Sequence, residues 1–304
     1  MKNNRIGSIA MLICVIIWGI SFVSIKVAIK VIEPMTLGFL RFFLASILLF
    51  LMVKFKNQSL KIYKEDYHLF LVAGGIGITL YFYFENNGVK ITTASIASLV
   101  IASIPVISTI AESIVYKINI TISKWISLVI SIIGVLLIVG FDYKELINSG
   151  FLKGYLMMFA AAFTAVAYSL SSKPLFKKYD QLTILFYQTI IGTVFFMPFM
   201  IFENNSWALV DALVIANIVF LGVFASAIAF YLNLIGLKHL GISHSSMYMN
   251  VIPIVSVIVS MIFLNERITF MQLLGGMFVI YSVYLINKEN NNTIKEKSLE
   301  NLNA

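Results

Sequence analysis

Long apolar runs separated by a few polar or charged residues recur along this 304-residue chain. The first two are Gly7–Ile29 and Met35–Val53, and the second follows Glu33-Pro34, a natural helix start. About 20 apolar residues rising about 1.5 Å each span the roughly 30 Å of bilayer hydrocarbon, so each run predicts a membrane-crossing helix. Further runs fall near 68–89, 93–115, 123–141, 152–173, 182–202, 213–236, 243–264 and 270–287, which makes ten. A secretory leader would carry only about 7–15 apolar residues before a small-residue cleavage site, so the first run is expected to be retained. From Lys288 to Ala304 the chain turns rich in Asn, Lys and Glu, and this tail is expected to be disordered and cytoplasmic.

The pattern occurs twice. Tyr83–Pro105 aligns without a gap on Tyr231–Pro253 at an offset of 148, matching Tyr83/Tyr231, Gly88/Gly236, Lys90/Lys238, Ser95/Ser243, Ser98/Ser246 and Pro105/Pro253. Each copy reads as a helix end, a Gly–x–Lys turn and a second helix containing Pro. Upstream, Gly7–Ala45 matches Gly154–Gly192 at an offset of 147. A long-period echo decides architecture, and here it divides the chain into units 7–141 and 152–287. Five spans is an odd number, so the second copy must enter the membrane in the opposite sense. That is an inverted repeat, an arrangement built for exposing one central site to either side in turn. The expected fold class is therefore all-α: a polytopic membrane protein of ten transmembrane helices in two inverted five-helix repeats.

Composition agrees. Hydrophobic residues make up 60% of the chain and charged residues 12%, against about half and about a quarter in soluble domains. Only a bilayer can solvate that much apolar surface. With both termini on one side, fifteen of the 22 Lys and Arg fall on that side, six fall on the other, and Arg41 lies inside the second run. The positive-inside bias places both termini in the cytoplasm of a cell-membrane protein. The net charge of +8 mostly records this topology. The basic residues are scattered over short loops, which speaks against nucleic acid. A lone Cys14 offers no disulfide framework. No HExxH, GxSxG or phosphate-cradling Gly loop occurs, so a membrane-embedded enzyme has no support, and neither catalytic residues, metal nor cofactor are expected. A passive channel or facilitator stays open beside a carrier.

The sequence resembles the EamA family of the drug/metabolite transporter superfamily. The resemblance rests on Trp18-Gly19 with Ser21-Phe22 and Lys26, on Arg41, on TTASIASLVIASIP at 92–105, and on Pro253 followed by LNERIT at 264–269, which places Glu266 as the acid after the Pro. It departs at Ile118, which stands in the first copy where Glu266 stands in the second. The resemblance implies ten helices, exporter-like transport of small metabolites such as amino acids, and a central cavity lined mainly by helices 1, 3, 4, 6, 8 and 9.

Polar groups within spans should face the bundle interior or water. The first run carries Trp18, Phe22 and Lys26 on one helical stripe. The third ends with Tyr81, Tyr83, Glu85, Asn86 and Asn87. The substrate-cavity candidates are Trp18, Arg41, Tyr83, Glu85, Ser98, Tyr168, Gln188, Asn233, Ser246 and Asn250. For each Ser the alternative is packing or a bond to the preceding turn. Pro105 and Pro253 are candidate gates or static kinks. Gly74, Gly75, Gly77, Gly275 and Gly276 should permit close helix approach. Arg41 and Glu85 lie at comparable depths, roughly 9 and 6 Å below the outer surface, and are expected to pair. The pair is either a clip or a poised receptor for a substrate carboxylate, and the second copy replaces both charges with amides, Gln188 and Asn233. Glu112, with Lys117 and Lys124 nearby, reads as an interfacial ion pair before a proton relay. Expected partners are a small-molecule substrate, the lipid bilayer and a proton or another coupling ion, in a monomer or homodimer.

Overall fold

The computed structural model describes the backbone at 2–117, 121–139 and 150–303, and the side chains over most of that length. Among these residues every regular element is a helix, as apolar runs without water partners for their backbone groups require. The first half comprises α1 (Lys2–Ala28), α2 (Pro34–Phe55), α3 (Tyr67–Gly74) continuing through a π-helical segment (Gly75–Leu80) into α4 (Tyr81–Ile91), α5 (Ala94–Ile101), α6 (Ile104–Tyr116) and α7 (Ile122–Val139). The second half comprises α8 (Phe151–Ser172), α9 (Gln181–Met200), α10 (Ala212–Val219) continuing through a π-helical segment (Phe220–Ile228) into α11 (Ala229–Met249), α12 (Val251–Phe263) and α13 (Phe270–Asn303). Among the described residues seven helices are long and apolar enough to cross a membrane, and three shorter apolar ones, Ile122–Ile138, Val251–Phe263 and Phe270–Ile286, accompany them.

Three differences from the sequence reading stand out. The tail expected to be disordered is a helical continuation of α13 to Asn303, because Lys, Glu and Leu are good helix formers and the helix is already nucleated. The turn expected at Gly236–Lys238 does not interrupt α11, whereas the first half breaks at Thr92–Thr93. There the Thr93 side chain accepts from Ile96 N at 3.1 Å and starts α5, and Gly241 offers no such cap at the equivalent place. The π-helical segments were not expected at all. They fall at corresponding positions in the two halves, 75–80 and 220–228.

The halves pack on each other through reciprocal contacts. A Cβ at Gly88 would strike Met158, and one at Gly236 would strike Met11, which is the same pair of positions with the halves exchanged. Gly7 sits against Leu240, and Gly154 against Thr92. Ser46 Oγ meets Thr193 Oγ1 at 3.2 Å, so two residues 147 apart touch each other. Gly134 and Gly275 bring α7 and α13 into backbone contact, and Gly74 receives Ile191, the close approach expected of these glycines. One end of the bundle is tied by carboxylates. Glu203 accepts from Met35 N, Thr36 N and Thr36 Oγ1 at 2.9, 2.7 and 2.9 Å, which caps the start of α2. Glu266 accepts from Ala94 N, Ser95 N and Ser95 Oγ at 2.8, 3.0 and 2.6 Å, which caps the start of α5. A carboxylate is the strongest acceptor available for the orphan N–H groups of a helix start.

Candidate functional site: a central cavity between the halves

A cavity of about 290 Å³ lies where α1, α2, the α3–α4 span, α5 and α6 meet α8, α11 and α12. Its walls are aromatic and aliphatic with few polar groups, the usual make-up of a small-molecule site. Trp18, Arg41, Glu85, Ser98, Tyr168 and Asn250 all line it, together with both kink prolines, Pro105 and Pro253.

Each side chain is placed by a local cause. Trp18 Nε1 donates to Ala225 O at 3.0 Å, and its ring stands edge-on to Phe230 at 5.1 Å. Ala225 lies in the second π-helical segment, where the altered register leaves a carbonyl for the indole. Tyr168 lies over Gly77, where a Cβ would collide with its ring. The Tyr168 hydroxyl donates to Gln188 Oε1 at 2.8 Å, and Gln188 Nε2 donates to Ser172 Oγ at 2.9 Å. Gln188 is thus a buried support behind the cavity wall. Ser98 Oγ spends its donor on Ser95 O at 2.8 Å, the backbone bond that competes with a ligand role. Both broken helices part just ahead of their prolines, at Ala102–Ser103 and at Asn250, so Asn250 enters the cavity from a helix junction.

Arg41 and Glu85 share the cavity but do not form the expected ion pair. Among the described residues the pairs within 4.0 Å are Lys90–Glu33 and Lys178 with Glu65 and Asp66. The Arg41 side chain instead donates from Nε to Ser226 Oγ at 2.9 Å and lays its guanidinium on the Phe82 ring, 4.4 Å from the centroid. Glu85 Oε1 accepts from Tyr81 OH at 2.9 Å. Residue count sets depth along a helix and leaves rotation about it open. Lys26 does not compete for Glu85, because its ammonium caps the end of α4 through the carbonyls of Val89, Lys90 and Thr92. The amide counterparts do not pair with each other either. Gln188 is engaged as above, and Asn233 Oδ1 is buried without a hydrogen-bond partner.

Three candidates fall away from the cavity, Gln188 behind its wall and two others. Tyr83 packs beside the cluster around Phe42 and Phe82, and Asn233 is absent from the walls. The side chains of Ser246 and Glu112 lie outside the described residues. Sequence reasoning missed Phe82, Phe230 and Ser226 as members of the site. The signal for Phe82 was present: Ile78, Tyr81, Phe82 and Glu85 form an i, i+3, i+4, i+7 stripe, and all four line the cavity.

An all-helical bundle with a largely apolar central cavity, two opposite charges in its walls and helices long enough to span a bilayer defines a multi-pass membrane transporter. The model of the EamA-like transporter family matches twice, over residues 5–140 and 152–288, and the chain belongs to that family. It is 26% identical over 278 residues to an uncharacterized transporter of Archaeoglobus fulgidus, covering 91% of this chain and 97% of the relative. It is 27% identical over 283 residues to the uncharacterized transporter YdfC of Bacillus subtilis, covering 90% of each. Over 225 residues, 74% of each chain, it is 27% identical to a probable terminal-alkyne amino-acid exporter of Streptantibioticus cattleyicolor. A solved crystal structure superposes with a TM-score of 0.65 at 16% identity, covering 94% of this chain and 97% of that one. These relatives are named as transporters, and the chain is a transporter of that family, not an enzyme.

Proposed function

We propose that the chain is a secondary transporter that exports a small metabolite, such as an amino acid, across the cytoplasmic membrane by alternating access. The reading takes ten membrane spans as two inverted five-helix repeats, with both termini in the cytoplasm. The observation that carries it is the central cavity, walled by both halves, which are joined elsewhere by reciprocal contacts: Gly88 on Met158 and Gly236 on Met11, and Ser46 on its own counterpart Thr193. Reciprocity of this kind supports two near-equivalent halves related by a two-fold operation. Such halves can exchange conformations and open one site to either side. The exporter name of the Streptantibioticus relative supports the direction, and the lysine bias of the loops supports the orientation. The test is flux in proteoliposomes loaded with a metabolite panel. A carrier gives saturable flux stimulated by substrate on the opposite side. Flux proportional to concentration with no trans-stimulation would show a passive facilitator instead.

A further inference from the structure

Arg41 decides what that cavity holds. Its side chain is 2% exposed, and it is among the largest fully buried groups in the protein. Of its guanidinium, Nε is committed to Ser226, while Nη1 is buried without any hydrogen-bond partner. A buried cation with unspent donors is costly, and a stable protein keeps one where something else completes it. A structural clip would close the guanidinium on Glu85. Glu85 lies along the same cavity wall, yet its carboxylate is held by Tyr81 and makes no ion pair with Arg41. Behind the guanidinium, Phe82 gives its ring face and orients the fork.

Resting on the transport reading above, we propose that Arg41 is the substrate-reading residue and that the substrate carries a single carboxylate on an apolar, flat body. A guanidinium fork matches a carboxylate in plane and pairs with it through two parallel hydrogen bonds. The rest of the ligand meets Trp18, Phe22, Phe82 and Phe230, which offer ring faces and edges in a space of about 290 Å³. A second carboxylate on the ligand would face the Glu85 carboxylate on the same wall, so dicarboxylates are refused by like-charge repulsion. Glu85 is left free to receive a cationic group, if the ligand has one, without being required for carboxylate capture.

The test uses the full chain in lipid nanodiscs with Trp125 and Trp207 changed to Phe, which leaves Trp18 as the indole that reports occupancy. The probes are 3-phenylpropionate, its neutral isostere 3-phenylpropanamide, and phenylsuccinate. The acid is expected to quench Trp18 saturably and to bind about ten- to a hundredfold more tightly than the amide, the range of a charged hydrogen-bonded pair. Phenylsuccinate should bind more weakly than phenylpropionate. Arg41→Gln should bring acid and amide to equal affinity. Arg41→Lys keeps the charge without the fork, should fold even where the glutamine variant does not, and should retain a reduced preference for the acid. Equal binding of acid and amide by the unaltered protein would overturn the proposal while leaving the cavity as the transport site. So would an acid preference that survives in Arg41→Gln, or one undiminished in Arg41→Lys. If no probe changes Trp18 fluorescence and the metabolite panel shows no saturable flux, the transport reading of the cavity falls, and this proposal with it.

Discussion

The two halves of the chain differ where their charges sit. At the cavity the first half supplies Arg41 and Glu85, and the second half has Gln188 and Asn233 at the matching positions, neither of them in the walls. At the tied end of the bundle the relation is reversed. Both capping acids, Glu203 and Glu266, belong to the second half, and both grip helix starts in the first. The matching positions in the first half are Lys56 and Ile118. The packing skeleton is different, because the Gly88–Met158 and Gly236–Met11 contacts are the same contact made twice. Duplication has kept what backbones need to approach each other and has let polar chemistry specialise, one half for the ligand and the other for closure.

Exchanging Arg41 and Gln188 tests that division most severely. Arg41→Gln is expected to lower uptake of a carboxylate substrate about a hundredfold, the upper range for a buried charged contact. Adding Gln188→Arg should not restore it, because position 188 lies behind Tyr168 and outside the cavity. Recovery of flux in the double variant would mean that the halves are interchangeable at the site. Next come the shared contacts. Gly88→Leu and Gly236→Leu should each destabilise the protein by about 1–3 kcal/mol through overpacking against Met158 and Met11. Thermal unfolding in detergent should show shifts of similar size, and a large disparity would break the equivalence.

The acids provide a smaller test. Glu266→Ala leaves the N–H groups of Ala94 and Ser95 without a protein acceptor, and Glu203→Ala does the same to Met35 and Thr36. Each should cost about 1–2 kcal/mol in the same unfolding assay. Ile118→Glu, at the unmatched position, should give no gain. The smallest effect is at the opposite end of the bundle. Lys178 there donates to Asp66 at 3.0 Å and Glu65 at 3.2 Å, and these carboxylates raise its pKa above the ordinary 10.5. A raised lysine stabilises the fold below its unfolded pKa and loses that contribution as pH rises through its folded value. Lys178→Met should therefore be slightly less stable than the parent at neutral pH, the smallest change of the series, because solvent screens so exposed a pair. The two should converge only once the pH exceeds the raised folded value of Lys178, above the ordinary lysine range. A gap that persists there would show that packing, not charge, accounts for the difference.

Much of this was legible in the sequence, and the rest was hidden for identifiable reasons. Apolar runs and the 148-residue echo fix which segments are helices, because neither depends on tertiary detail. Glu85 and Arg41 could be assigned to the interior because a charge facing lipid is too costly. Their failure to touch could not be foreseen, since depth follows from residue count while rotation about the helix does not. Tyr83 lies off the cavity by ordinary helical periodicity: Ile78, Tyr81, Phe82 and Glu85 share the stripe that lines it, and Tyr83 points about 100° round the helix from Phe82. The groups that bind Arg41 and Trp18, Ser226 and the Ala225 carbonyl, come from about 185 and 207 residues away, and no local pattern announces such partners.

The one-way arrangement of the capping acids has a consequence for how the protein is made. A ribosome delivers the first five apolar segments to the membrane before Glu203 or Glu266 has been synthesised. Until then the starts of α2 and α5 carry backbone N–H groups whose final acceptors do not yet exist. The final hydrogen bonding of the start of α5 is therefore out of reach until residue 266 has been added. A stop codon anywhere before that position leaves a product with at least one helix start that lacks its carboxylate acceptor.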